Sequence, residues 1–209
     1  MLYFDKQTDD WRIAIWHVTE TLDELFALLP DDELVRQEAE EKFQAPGRIL
    51  EWVAVRVLLC DMLDRQVPIL YHENGAPYLP DYEHLDISIS HTRGYVAVAL
   101  AETGGIGIDI EQIGPKVERV KSRFVREDEE AETLTKMLLH WSAKETAFKI
   151  LQRNNVDFVK HLQVQPFDEA EEGVFQLEES RTGDKLTLEI SYKVFPEFVL
   201  TYSHVLEDD

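Results

Sequence analysis

The stretch GIGIDIE, Gly105 to Glu111, alternates at every position, and its reading sets the fold of the second half of the chain. On an extended strand successive side chains point to opposite faces, so Ile106, Ile108 and Ile110 share one face and Gly105, Gly107, Asp109 and Glu111 share the other. Asp109 and Glu111 therefore point the same way. Like charges at this spacing repel, and they are tolerated where the face is well solvated or where a cation sits between them. The two glycines leave the face bare, which would let a ligand approach the backbone.

Downstream, WSAKETAFK at Trp141 to Lys149 reads as helix, because Met137, Leu138, Trp141, Phe148 and Leu151 fall near helical spacing among good helix formers. Glu145 and Lys149 are four apart and lie on one face, with Lys144 on an adjoining line. Asp109, Glu111 and Glu145 form an all-oxygen donor set with no histidine or cysteine cluster, which suits a hard ion such as Mg²⁺ completed by phosphate oxygens rather than zinc. Taken alone, a Glu-to-Lys pair at this spacing is an ordinary solvated pair worth about 0.2 to 0.5 kcal/mol. The co-occurrence of strand and helix motifs is what favours a site.

Outward from these segments, Trp11 to Val18 reads as a strand, and Thr21 with Glu24 forms a capping-box pattern for a helix through Leu29, stopped by Pro30. Asp31 to Phe43 and Arg48 to Leu63 read as further helices, the latter with Leu50, Val53, Val57 and Leu58 inward. A turn at Asn74 to Pro77 precedes strands at Asp86 to Ser90 and Tyr95 to Ala101. Ile87 and Ile89 are expected to face the core, with Ser88 and Ser90 on the solvent side. After Gly104-Gly105 come the strand 106–111, helical segments to about Leu151, and strands near 161–167, 174–179, 185–193 and 198–205. Trp52-Val53-Ala54 in the first long helix is echoed by Trp141-Ser142-Ala143 in the second.

The 209 residues are 44% hydrophobic, enough to bury a core, and carry a formal charge of −21 that disfavours nucleic acid and anionic membranes. No run of apolar residues is long enough to span a bilayer, since Trp52 to Leu63 is broken by Arg56 and Asp61. The N-terminus, with Asp5, Lys6, Asp9 and Asp10, does not read as a signal peptide, and the lone Cys60 fits a reducing, cytoplasmic setting as a small hydrophobe. The acidic stretches at Glu127 to Glu132 and Asp168 to Glu172, and the terminal Glu207-Asp208-Asp209, read as solvated surface or tail. Against this, KVERVKSRFVR at 116–126 is a basic island, read either as a solvated helix face or as a dock for an acidic partner.

GIGIDIE and WSAKETAFK, with ISISH at Ile87 to His91, resemble the signature set of the Sfp-type 4′-phosphopantetheinyl transferases, in the family's order. The resemblance implies an α/β (α+β) pseudo-dimer of two similar α/β halves, 1–103 and 104–209, with the active site in the cleft between them and a monomer sufficient. It implies transfer of the phosphopantetheine arm of coenzyme A to a serine of an apo acyl or peptidyl carrier protein, releasing adenosine 3′,5′-bisphosphate. Asp109, Glu111 and Glu145 match the family's Mg²⁺ ligands, with Glu145 or a water it orients as base. Lys144 and Lys149 match catalytic residues that touch the phosphates of coenzyme A, and Ser90 and His91 match its phosphate-contacting pair. By itself His91 reads as a strand-end histidine satisfying a local carbonyl. Arg48 is the first choice for a further coenzyme A phosphate contact, and Arg119, Lys121 and Arg123 for the carrier dock. The chain departs from the family at Ala76, where a lysine is usual, and in the acidic run Glu38 to Glu41. Those departures keep open a second reading, a coenzyme A- or carrier-binding protein of the same fold with little or no turnover.

Overall fold

The computed structural model describes residues 1–152, 155–181 and 186–206, and the chain divides into two units, Met1–Thr103 and Gly104–Asp209. Lys185, where a strand was expected to begin, and the acidic tail Glu207, Asp208 and Asp209 lie outside the described residues. The secondary structure is mixed α+β, and every strand pairing is antiparallel.

In the first unit, β1 (Leu2–Gln7), β2 (Trp11–His17), β5 (Asp86–Thr92) and β6 (Tyr95–Ala101) make a sheet in the order β1-β2-β6-β5, and β3 (Leu70–Tyr71) and β4 (Pro77–Tyr78) form a small hairpin. Helix α1 (Leu22–Phe26) starts on the expected capping box, with the Thr21 hydroxyl accepting from Glu24 N and Glu24 answering to the Thr21 backbone. It ends before Leu29 because the chain tightens into i→i+3 bonds at Leu28 and Leu29. Helix α2 is Asp32–Lys42 and α3 is Pro46–Leu63. The latter starts two residues earlier than expected, because proline at the first position lacks only an N–H that has no helical partner there. Its buried Val53, Ala54, Val57 and Leu58 pack with Ala14, Val96 and Val98 of the sheet.

One strand goes unread in the sequence and one expectation fails. Strand β1 carries no alternation signal because it is an edge strand exposed at all positions but one. Ser88 and Ser90 are buried, at 3% and 7% exposure, where a solvated face was expected. Strand β6 beside them is buried at every residue, so alternation in β5 does not separate water from core.

The second unit is a sheet ordered β7-β11-β10-β9-β8, formed by β7 (Gly105–Gln112), β8 (Leu162–Val164), β9 (Glu172–Glu179), β10 (Thr187–Val194) and β11 (Phe198–Val205). Helix α4 (Leu134–Leu151) lies across β7 and β11, capped by the Thr133 hydroxyl accepting from Lys136 N. Its Met137, Leu138, Leu139, Ala143 and Ala147 bury with Leu177, Leu188, Ile190 and Val199 of the strands. The basic island forms only a short 3₁₀ stretch, Val117–Arg123. The echoed Trp52 and Trp141 motifs fall on two helices of 18 residues, one in each unit. Cys60 is half-buried in α3, and burial raises its thiol pKa, which disfavours the nucleophilic thiolate. Among the described residues no helix is long and apolar enough to cross a membrane.

Candidate active site

The alternation of β7 holds: Ile106, Ile108 and Ile110 are at most 1% exposed, and Asp109 and Glu111 share the opposite face with Gly107. The glycine face is not bare, as the sequence suggested, because α4 fills it. A Cβ at Gly107 would stand 2.5 Å from Thr146 O and 2.8 Å from Ile150 Cγ1, so this glycine sets how closely helix and strand approach. The angle of α4 is held from β11, where Thr201 Oγ1 hydrogen-bonds Ser142 Oγ at 2.8 Å and Thr146 Oγ1 at 2.7 Å, all three side chains buried.

That docking brings the two motifs together. Lys149 Nζ donates to Ile108 O at 2.7 Å and to Asp109 Oδ1 at 2.9 Å. One helical turn before it stands Glu145, and one turn before that Trp141, whose Nε1 donates to Glu111 Oε1 at 2.7 Å. Burial first, then the charge of Asp109, raise the Glu145 carboxyl to about 7, with Lys149 opposing and Glu111 adding to the rise. Glu111 is likewise raised by burial and by Asp109, against the Trp141 hydrogen bond and Lys149.

Asp109 thus stands near enough to raise the proton affinity of both Glu111 and Glu145, and Glu111 adds to that of Glu145, a repulsion that a divalent cation would relieve. As the side chains stand, no group of three or more His, Cys, Asp or Glu among the described residues forms a preassembled metal cage. The donor chemistry fits a hard divalent ion; holding one would require the carboxylates to close in.

Lys144 is placed differently from the sequence expectation. It is fully buried, and its Nζ donates to Phe124 O at 2.6 Å and Phe158 O at 3.1 Å while pairing with Glu129 Oε1 at 2.7 Å. Desolvation lowers its pKa, with Glu129 opposing. Glu129, read from sequence as part of a solvated acidic patch, has a side chain with 0% exposure. It also accepts from Arg126 N at 2.8 Å and Val164 N at 2.7 Å.

In the first unit, Arg48 Nη1 lies 3.0 Å from His91 Nε2, and Glu51 Oε2 sits 3.3 Å from Arg48 and 3.5 Å from His91 Nδ1. They border a cavity of about 160 Å³ together with Trp52, Arg56 and Tyr71. Ser90 does not line it. Arg56, whose guanidinium stacks 3.2 Å from the Trp52 ring centre, has its pKa lowered to about 10 by burial. In the basic island Arg119 and Arg123 are exposed, whereas Lys121 Nζ donates to Ala131 O at 2.6 Å. Sequence reasoning missed Trp141, Glu129 and Arg56 as members of these clusters. Trp141 alone had a signal, its place one turn before Glu145.

Residues 105–203 match the family model of the 4′-phosphopantetheinyl transferase superfamily. The Synechocystis protein slr0495, whose name assigns it provisionally as a 4′-phosphopantetheinyl transferase, is 32% identical over 139 residues, 59% of this chain and 56% of its own length. The 4′-phosphopantetheinyl transferase AcpT of Escherichia coli K12 is 35% identical over 77 residues, 37% of this chain and 39% of its own. AcpT of Salmonella typhi is 36% identical over 75 residues, 35% and 39% of the two chains. The chain thus spans about half or less of the length of these curated relatives.

Proposed function

We propose, from the match of residues 105–203 to the family model of the 4′-phosphopantetheinyl transferase superfamily, that this chain moves the phosphopantetheine arm of coenzyme A onto a serine hydroxyl of an apo acyl or peptidyl carrier protein. The observation that carries the reading is the single face on which α4 sets Glu145 and Lys149 against Asp109 and Glu111 of β7. In the reaction the serine Oγ forms a bond to the phosphorus nearer the pantetheine. The bridging P–O bond breaks, and adenosine 3′,5′-bisphosphate leaves with the electron pair.

Asp109, Glu111 and Glu145 would hold Mg²⁺, which when bound neutralises pyrophosphate charge. Glu145, or a water it orients, takes the serine proton; its raised proton affinity suits that task. Lys149 offers a fixed positive charge to the leaving phosphate, because its ammonium is already aimed by Ile108 O and Asp109. Arg48 and His91 bind a phosphate of coenzyme A at the first-unit cavity, with the Glu51 carboxylate as their partner until it arrives. Ser90 is buried beside His91 in β5. Arg119 and Arg123 present the exposed charge that an acidic carrier would meet, while Lys121 chiefly holds its own segment.

Chromatography of the nucleotide product provides the test. Adenosine 3′,5′-bisphosphate should accumulate only when apo carrier, coenzyme A and Mg²⁺ are all present, and Lys149→Ala should slow it by about 100-fold. Binding of coenzyme A with no nucleotide release across several carriers would contradict the reading and favour a non-catalytic binding protein.

A further inference from the structure

We propose that Lys144 is a positioning residue for Glu111, acting through a cage of aromatic side chains around Trp141. This rests on the reading above only in that Glu111 serves the site. An ammonium has three N–H donors, and those of Lys144 meet Phe124 O, Phe158 O and the Glu129 carboxylate, leaving none for a phosphate.

The two carbonyls that Lys144 binds belong to the residues whose rings enclose Trp141. The Phe124 ring meets Trp141 edge-on with centroids 5.2 Å apart, and the Phe158 ring lies 5.7 Å away at 51°. Phe158 is backed in turn by Phe148 at 6.1 Å. Trp141 has one polar atom, and it points its N–H at Glu111 Oε1, 2.7 Å away. Such a bond weakens steeply as the donor swings off line, so the cage that fixes the indole plane fixes the carboxylate as well. Glu129 closes the assembly from the other side by holding Arg126 N and Val164 N, which tethers the loop after Phe124 to β8. One buried cation therefore ties two phenylalanine backbones to the helix that carries Trp141, Glu145 and Lys149.

The test reads the Trp141 indole directly. The chain has four tryptophans, so Trp141→Phe identifies its indole N–H resonance in ¹⁵N-labelled protein. Lys144→Met and Glu129→Met are combined, because removing one partner alone leaves an uncompensated buried charge. In the combined variant the Trp141 N–H should shift and exchange with solvent at least about tenfold faster. Phe158→Leu, which keeps the buried pair, should produce the same change and serves if the combined variant does not fold. Calorimetric affinity for coenzyme A without Mg²⁺ should stay within about twofold in both variants. An unmoved Trp141 resonance in a folded variant, or a tenfold or greater loss of coenzyme A affinity in the combined variant alone, would overturn the proposal. The resonance measurement needs no turnover, so failure of the transferase reading would show separately, as absent nucleotide release by the wild type.

Discussion

At Glu145 burial and the charge of Asp109 outweigh Lys149, and the consequence can be measured on the metal-free protein. Between the unfolded value of 4.5 and the folded value of about 7, the folded state holds a proton that the unfolded state has lost. Stability therefore falls as pH rises through that window, by up to about 3 kcal/mol. His140 acts in the opposite sense below 6.5, since burial lowers its pKa and charging it favours the unfolded chain. The difference between wild type and Glu145→Gln isolates the glutamate. Urea midpoints at pH 5.5 and pH 8 should show the wild type losing stability relative to the variant on going to the higher pH, and equal differences would refute the assignment. The same variant should lower transfer by about 100-fold or more, read as initial rate. At this scale the shared faces of Asp109 with Glu111 and of Glu145 with Lys149 were legible, because strand and helix periodicity dictate faces. Lys144 and Glu129 were not, because periodicity says which way a side chain points and nothing of how deep its surroundings are. Lys144 sits beside Glu145 in sequence yet at 0% exposure, paired with a residue that reads as surface charge.

The element that determines the site is the crossing of α4 over β7, and Gly107 is its closest point. Gly107→Ala would drive a methyl to 2.5 Å from Thr146 O, a backbone atom that can yield only if the helix moves. The expected cost is about 1 to 3 kcal/mol, seen as a lowered urea midpoint, with a loss of transfer larger than the loss of fold because Glu145 and Lys149 move away from Asp109. A variant of unchanged stability and rate would show that the helix is not held there. The strand-helix pair was readable from the alternation of GIGIDIE and the spacing of WSAKETAFK, and the first-unit capping box from Thr21 and Glu24. What the elements do to one another was not. The bare glycine face read as room for a ligand is room for a helix, and the serines of β5 read as solvated are buried. In both cases the local pattern is right and its neighbour decides the meaning.

Over the whole molecule the acidic balance, −21, opposes an approach by polyanions. Exposed Arg119 and Arg123 are a local exception, effective within about 8 to 10 Å at physiological salt. Changing both to Glu should raise the Michaelis constant for carrier by about tenfold at low salt, and less at high salt, while coenzyme A affinity is unchanged. An unaltered carrier constant would remove this segment from the docking surface. No pattern in the sequence marks which of its cations remain available: Lys121 and Arg126 bond to the backbone at Ala131 and Val159, contacts made across loops of irregular structure. Transfer of the phosphopantetheine arm is measured most directly by the intact mass of an apo carrier after incubation with this protein, coenzyme A and Mg²⁺. A gain of about 340 Da on one serine is expected, abolished by Glu145→Ala. Carriers that stay at their starting mass alongside wild-type protein would contradict it.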